Sequence, residues 1–339
     1  MLKQFSIQDG NDMTKWDNFV VAHPAGTPFH LSCWLKVIHE TYFFEPKLYA
    51  YYNADGDLAG LFPCFFVRGL WGKVKGVSIP FSDYGGPLFE QPETETAVLK
   101  EILETESGKR FNCLEVRSQL QSCPEFVCHN HYKHHVIDLS YGMEQVKKNI
   151  DKRTIQYSIR KALRSGIEIC EDNTEAGMKV FTHLNFLTRK KHGMPSQPDT
   201  FFEKIFEYTV SKRVGSLLVA LADSRPVAAG FFLSAGNSVY YKYNASDPYF
   251  LSKVTPNHLL TWTAIQRACE RGFRYFDLGR TSPSNKGLMR HKRMWGSEEL
   301  DLAYHFYPSI KGATAQEGEG KAYRLFTSFW GRLPDRAAR

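Results

Sequence analysis

The chain has 339 residues, 42% hydrophobic and 14% aromatic, enough apolar material for two cored domains and too much for a disordered chain. Its net charge of +7 favours anionic partners such as phosphates, nucleotides, nucleic acid or an acidic membrane surface, without choosing among them. It lacks the run of about 18 apolar residues that a spanning helix needs, Met1–Asn11 has no apolar signal core, and the seven scattered Cys form no Cys-x-x-Cys, so the expectation is a cytoplasmic protein with reduced thiols.

Periodicity and breakers predict a helix over Thr14–Ala22 and a second over Cys33–Tyr42 capped by Ser32. Asp55-Gly56 joins strands Lys47–Asn53 and Leu58–Arg68 as a hairpin. Gly72–Leu88 reads as a loop, and its Tyr84-Gly85-Gly86-Pro87 permits close backbone approach to a ligand. Helix Glu93–Glu106, strand Phe111–Val116 and strand His135–Leu139 follow. A basic helical pair, Met143–Ser165, ends at Gly166, and strand Ile167–Glu171 comes next. Helices near Glu175–His192 and Thr200–Lys212 precede a meander of Ser216–Ala222, Pro226–Ser234 and Val239–Ala245. Ser246–Thr255 reads as a loop leading into helix Pro256–Arg271, with Thr255 as cap and Pro256 in the first turn. Strand Arg274–Leu278 is expected to break at Gly279, before a cationic loop, a short helix over Gly287–Trp295 and a last strand, Leu300–Tyr307. Lys311–Lys321 reads as a linker and Ala322–Arg339 as an aromatic, basic tail that either docks on the domain, the commoner case, or lies on an anionic membrane.

Two stretches resemble each other. Leu58–Phe62 matches Ala228–Phe232, and Phe111–Val116 matches Phe273–Leu278, each later strand carrying one acid at the same place. The order hairpin, loop, helix, strand thus occurs twice, which predicts two copies of one α/β unit. Lys147–Arg164 holds seven bases and one acid, either a solvated face or a cradle for phosphates. Aromatics do not interleave with it, which opposes nucleic-acid binding there. Six Cys and His residues crowd Cys123–His135, but their spacing fits no zinc pattern, so no metal is expected. Walker, nucleophile-elbow and dinucleotide fingerprints are absent.

Four segments resemble the FemAB-like, or BioF2-like, acetyltransferase branch of the GNAT acyltransferase superfamily: Pro28–Lys36; Ile137-Asp138-Leu139 with Asn149, Arg153, Tyr157, Arg160-Lys161-Ala162 and Gly166; Tyr240–Ser246 with Pro256 and Gly272; and Phe276–Gly279 with His291-Lys292 and Trp295-Gly296. The resemblance implies two tandem GNAT-like subdomains, each a mixed, mostly antiparallel sheet flanked by helices, here placed at 1–140 and 141–310. It implies transfer of an acyl or aminoacyl group to an amine. The donor would be acyl-CoA as co-substrate, with aminoacyl-tRNA as the alternative. No cofactor would be bound permanently. The acceptor would be an amino sugar or peptide in a cell-envelope polysaccharide or a lipid- or nucleotide-linked peptidoglycan precursor. A non-catalytic binder of anionic glycan or nucleotide is the other reading.

On this resemblance Lys292 supports the reacting carbonyl, with Arg280 nearby, and Asp277 is either a proton acceptor or a structural partner for N–H groups. An aromatic residue usually precedes that lysine; here it is His291. Lys36, beside Trp34, would contact a diphosphate of the acceptor, with Asp83, Tyr84, Arg153, Arg160 and Tyr243 also binding substrate. The spaced glycines of the GNAT pyrophosphate loop are missing, and Ser246, Thr255 and Asn257 stand in their place, at a helix N-terminus whose N–H groups would hold phosphate.

Overall fold

The computed structural model describes residues 1–69, 72–107, 110–121 and 123–308, so the expected linker and the Ala322–Arg339 tail lie outside the described residues. Those residues divide into two compact units, one of Met1–Lys133 with the stretch from Asp301, the other of His134–Leu300.

The first unit holds β1 (Leu2–Phe5), α1 (Gly10–Ala22), α2 (Ser32–Tyr42), β2 (Glu45–Tyr52), β3 (Leu58–Arg68), β4 (Val74–Val77), β5 (Leu88–Phe89), α3 (Pro92–Glu106), β6 (Cys113–Val116) and the start of β7 (Val127–Asp138). α1 begins earlier than its apolar period suggests because the Asp9 carboxylate accepts the N–H groups of Asn11 and Asp12 at 2.8 and 3.1 Å. Ser32 is not a cap: Leu31 precedes the helix, and the Ser32 hydroxyl and N–H both donate to Asp17, at 2.6 and 2.7 Å. β4 forms inside the stretch expected to be a loop, because it pairs antiparallel with β3 and parallel with β6.

The second unit continues with α4 (Gly142–Asn149), a π-helical turn over Lys152–Gln156, α5 (Tyr157–Arg164), β8 (Glu168–Glu171), α6 (Glu175–Lys191), α7 (Asp199–Ile205) and a second π-helical turn over Phe206–Val210. β9 (Gly215–Ala222), β10 (Arg225–Ala235), β11 (Ser238–Ser246), α8 (Pro248–Val254), α9 (Pro256–Glu270), β12 (Tyr275–Thr281) and α10 (Lys286–Arg293) follow, and β13 (Glu298–Tyr307) returns the chain to the first unit. The basic helical pair breaks at Asp151, whose N–H donates to the Met294 carbonyl at 2.9 Å and whose carboxylate caps Thr154. That tie seats the chain on the end of α10. The expected loop after β11 is instead largely α8, started by Asp247, whose carboxylate accepts the Tyr249 N–H at 2.9 Å.

The twofold repeat is visible in the pairing. β2, β3 and β4 run antiparallel in succession, and α3 then carries the chain to β6, parallel to β4. β9, β10 and β11 do the same, and α9 carries the chain to β12, parallel to β11. The two acids occupy one register position: Val77 faces Glu115, and Tyr240 faces Asp277. In the second unit α9 and α5 bury Leu259, Leu260, Ile265 and Ile159 in one core with Val227, Phe232 and Phe276 of the sheet. None of the described helices is long and apolar enough to cross a membrane.

Candidate active site

β11 and β12 pair over three positions only, Ser238 to Tyr240 against Tyr275 to Asp277. Beyond them β11 stays paired with β10 as far as Ser246, while β12 runs on to Thr281. The two parallel strands therefore part, and a cleft of about 420 Å³ opens where they do, lined by Tyr241, Lys242 and Asn244 of β11, Leu278 of β12, and residues from α8, α9 and α10.

Parting a sheet exposes backbone groups that need partners. Asp277 and Lys292 supply them for β12. Gly279 does not end the strand as expected; it sits at φ 76, in the left-handed region, and its N–H donates to the Asp277 carboxylate at 2.6 Å. The Lys292 ammonium, reaching from α10, donates to the carbonyls of Gly279 and Arg280 at 2.8 and 3.0 Å. Asp277 is 3% exposed and Lys292 7%. The ammonium is thus buried, and its described acceptors are backbone carbonyls on the cleft wall.

A β-bulge shapes the opposite wall. The register of β11 on β10 jumps from Tyr243 to Tyr241, leaving Lys242 without an opposing residue. Tyr241 and Tyr243 therefore turn to opposite faces. Tyr241 stacks on Phe232 at 4.6 Å and lines the cleft, whereas Tyr243 packs among Phe181, Phe201, Phe202 and Phe231. Asn244 donates to the Tyr241 hydroxyl at 2.5 Å and accepts from Asn257 at 3.1 Å. Burial pushes the Tyr241 phenol up to about 12, so it keeps its proton.

The third side carries two imidazoles and an indole. His258, in the first turn of α9, lies parallel to Trp295 at 6.3 Å and edge-on to His291 at 5.5 Å. The Trp295 N–H donates to His291 Nε2 at 3.3 Å. Burial, with His291 alongside, pulls His258 down to about 4, and burial beside Lys292 also lowers His291. Among the described residues no group of three or more His, Cys, Asp or Glu is placed to hold a metal ion.

A family model described as an acetyltransferase (GNAT) domain matches residues 151–293, from the base of α4–α5 through Lys292. Residues 151–293 are therefore similar to a GNAT acetyltransferase domain. The likeness of fold extends over the rest of the chain. FemX superposes with a TM-score of 0.67 at 14% identity, over 90% of this chain and 96% of its own. The L-PGS of Bacillus licheniformis gives 0.61 at 13%, over 96% and 98%. A tandem GNAT protein from the clavulanic acid biosynthesis pathway gives 0.57 at 9%, over 90% and 97%. The described residues thus have the fold of tandem GNAT proteins. No curated protein matches the sequence.

Of the residues expected in the site, the GNAT domain brings Lys292, Thr255 and Asn257 to its cleft. Asp277 and Arg280 lie behind its wall, through the Gly279 N–H and the Arg280 carbonyl. Ser246 does not hold phosphate here: it is buried, with its N–H and carbonyl both bonded to the Thr188 hydroxyl at 2.8 and 3.0 Å. Thr255 stands at the N-cap position of α9, at φ 49, but its side chain makes no cap bond: the hydroxyl donates to the Ser158 carbonyl at 2.8 Å. Arg153 and Arg160 are exposed on the π-helical turn and α5, which packs on α9 through that same bond. Tyr243 faces away, for the reason given by the bulge.

Trp34, Lys36, Asp83 and Tyr84 belong to the first unit. Trp34 is 0% exposed and packs on Phe29, so it anchors α2 rather than touching a ligand. Lys36 is half-buried. The Asp83 carbonyl accepts the Tyr304 hydroxyl, and the Tyr84 ring stands edge-on to Phe29 at 5.9 Å. Tyr241, Asn244, His258 and Thr261 were not expected in the site. A helix start bearing an imidazole next to Asn257 was the available signal for His258; for Tyr241 there was none, because one extra residue in a strand is invisible to its alternation.

Proposed function

We propose that the chain is an N-acyltransferase that moves an acyl group from acyl-CoA to an amine of an amino sugar or peptide in a cell-envelope polysaccharide or peptidoglycan precursor. The observation that carries this is the split between β11 and β12 inside a GNAT domain, a fold family whose co-substrate is an acyl-CoA. Among the described residues the backbone of β11 past Tyr240 has no partner strand on that side, which suits an extended, amide-bearing chain lying along it. The acyl carbon would then lie near the Lys292 wall, whose positive charge favours the oxyanion of the tetrahedral intermediate. Tyr241 offers a phenol that keeps its proton. The exposed Arg153 and Arg160 supply positive charge on the α5 side of α9, for the phosphates of the donor.

The envelope acceptor rests on the resemblance of Pro28–Lys36 and Phe276–Gly296 to FemAB-like enzymes and on the likeness of fold to FemX. One observation favours aminoacyl-tRNA as donor instead: α8, and not a glycine loop, precedes α9, and Pro256 removes one N–H from its first turn. The test is to incubate the purified chain with acetyl-CoA and a panel of amino sugars and amine-bearing peptides, reading free thiol and the new amide by mass spectrometry. Amine-dependent thiol release supports the proposal. Transfer from aminoacyl-tRNA alone would change the donor, and no transfer from either would leave a binder of anionic glycan.

A further inference from the structure

We propose that His258 is the base that takes the proton from the acceptor amine, an assignment that rests on the acyl-transfer reading above. The reaction needs such a group. The amine nitrogen attacks the thioester carbonyl, the C–N bond forms, the C–S bond breaks, and one N–H proton must leave before the neutral amide and free thiol are complete. Among the described residues no carboxylate lines the cleft; the titratable side chains that do are Tyr241 and Lys242 from β11, His258 from α9, and His291 and Lys292 from α10. Lysines enter as ammonium ions, and Tyr241 holds its proton, so two imidazoles remain.

The hydrogen bonds separate the two. His291 Nε2 accepts the Trp295 N–H at 3.3 Å, which commits that lone pair and puts the ring proton on Nδ1. Among the described residues His258 Nδ1 is buried without a hydrogen-bond partner, closed off from the cleft. Nε2 has no described hydrogen bond either and is not closed off, so it is the ring nitrogen that an amine in the cleft can reach. Trp295, roughly parallel at 6.3 Å, and His291, edge-on at 5.5 Å, flank the ring. Its place in the first turn of α9 adds the positive end of the helix dipole, which disfavours the imidazolium. The same environment that lowers its pKa keeps it neutral, and therefore able to accept a proton, at physiological pH. A base this weak takes the proton from the ammonium-like nitrogen of the tetrahedral intermediate, so the acceptor must arrive as the free amine. The proton passes from His258 to the departing thiolate or to water.

The test compares wild type with His258→Ala and His258→Gln, using acetyl-CoA and the best amine from the panel. Removing a general base is expected to lower kcat by about 10²–10⁴ while the KM for acetyl-CoA stays within a few-fold. Added imidazole is expected to restore part of the kcat of His258→Ala, which a merely structural role would not produce. His258→Gln keeps the ring's approximate volume and guards against a folding failure in the alanine variant. An active wild type whose His258→Gln variant turns over at a near-normal rate overturns the base assignment alone. Loss of kcat without imidazole rescue in a folded His258→Ala variant overturns it too. A wild type that acylates no amine overturns the acyl-transfer reading and the base assignment with it.

Discussion

Lys292→Met removes the ammonium that bonds the Gly279 and Arg280 carbonyls and leaves both without that donor beside the split in the sheet. A hydrogen bond from a charged donor contributes about 1.5–3 kcal/mol, and an orphaned buried carbonyl costs about 1–3 kcal/mol. Burying Met instead of an ammonium recovers part of this, so the net loss is expected at about 2–4 kcal/mol. A domain of this size loses roughly 2–4 °C of Tm per kcal/mol, which places the drop at about 4–16 °C. Thermal unfolding by circular dichroism reads it directly. If Lys292 also faces the acyl oxygen, kcat falls by about 10²–10³ at temperatures where the variant is folded. Lys292→Arg should recover part of the stability, since its guanidinium can also reach two carbonyls, and less of the rate. A Lys292→Met variant that melts within a degree of wild type would refute the view that this lysine holds the parted strand.

Asp277→Ala orphans the Gly279 N–H and should cost about 1–3 kcal/mol, measured by urea unfolding; Asp277→Asn, which keeps an acceptor, should cost less. Trp34→Ala should cost about 3–5 kcal/mol and abolish ordered folding of the first unit, whereas a ligand-contacting Trp would leave its stability intact and change only acceptor KM. Stability should also fall with acid. His30, His135 and His258 are each held near 4 by burial, against an ordinary 6.5, so the unfolded chain takes up protons first as pH falls. The stability is complete above about 6.5 and is lost progressively between 6.5 and 4. At His30 burial outweighs the bond that Nε2 donates to the Gly86 carbonyl at 3.0 Å, which alone would favour the imidazolium, and the ring stays neutral with Nδ1 accepting the Thr27 N–H at 3.2 Å. Melting curves recorded from pH 7 to 4.5 should flatten in His30→Gln.

Much of this architecture was legible in the sequence because it is written in local chemistry. Asp55-Gly56 marked the β2–β3 hairpin, and Gly56 does sit at φ 87. The matched strands Leu58–Phe62 and Ala228–Phe232, and the acids Glu115 and Asp277, located the two copies of the unit, and their register positions agree. What was not legible depends on contacts distant in sequence. Asp17 takes the Ser32 side chain, which turned a cap into the first residue of a helix. The partners of Val74–Val77 lie on β3 and β6, so a stretch without its own strong period became β4. The run of bases around Lys292 carries no sign that its ammonium bonds the Gly279 and Arg280 carbonyls, a contact that depends on the parting of β11 and β12. The bulge at Lys242 reversed the expected side of Tyr243 for the same kind of reason.

The cleft itself is the central claim, and plugging it tests that claim most directly. Asn244 is exposed at its edge, so Asn244→Trp should fill the mouth while sparing the core. Amine-dependent thiol release from acetyl-CoA is expected in wild type and to fall at least about tenfold in Asn244→Trp, with an unchanged circular dichroism spectrum. Equal thiol release by the two proteins would contradict the claim and place the reaction outside the split between β11 and β12.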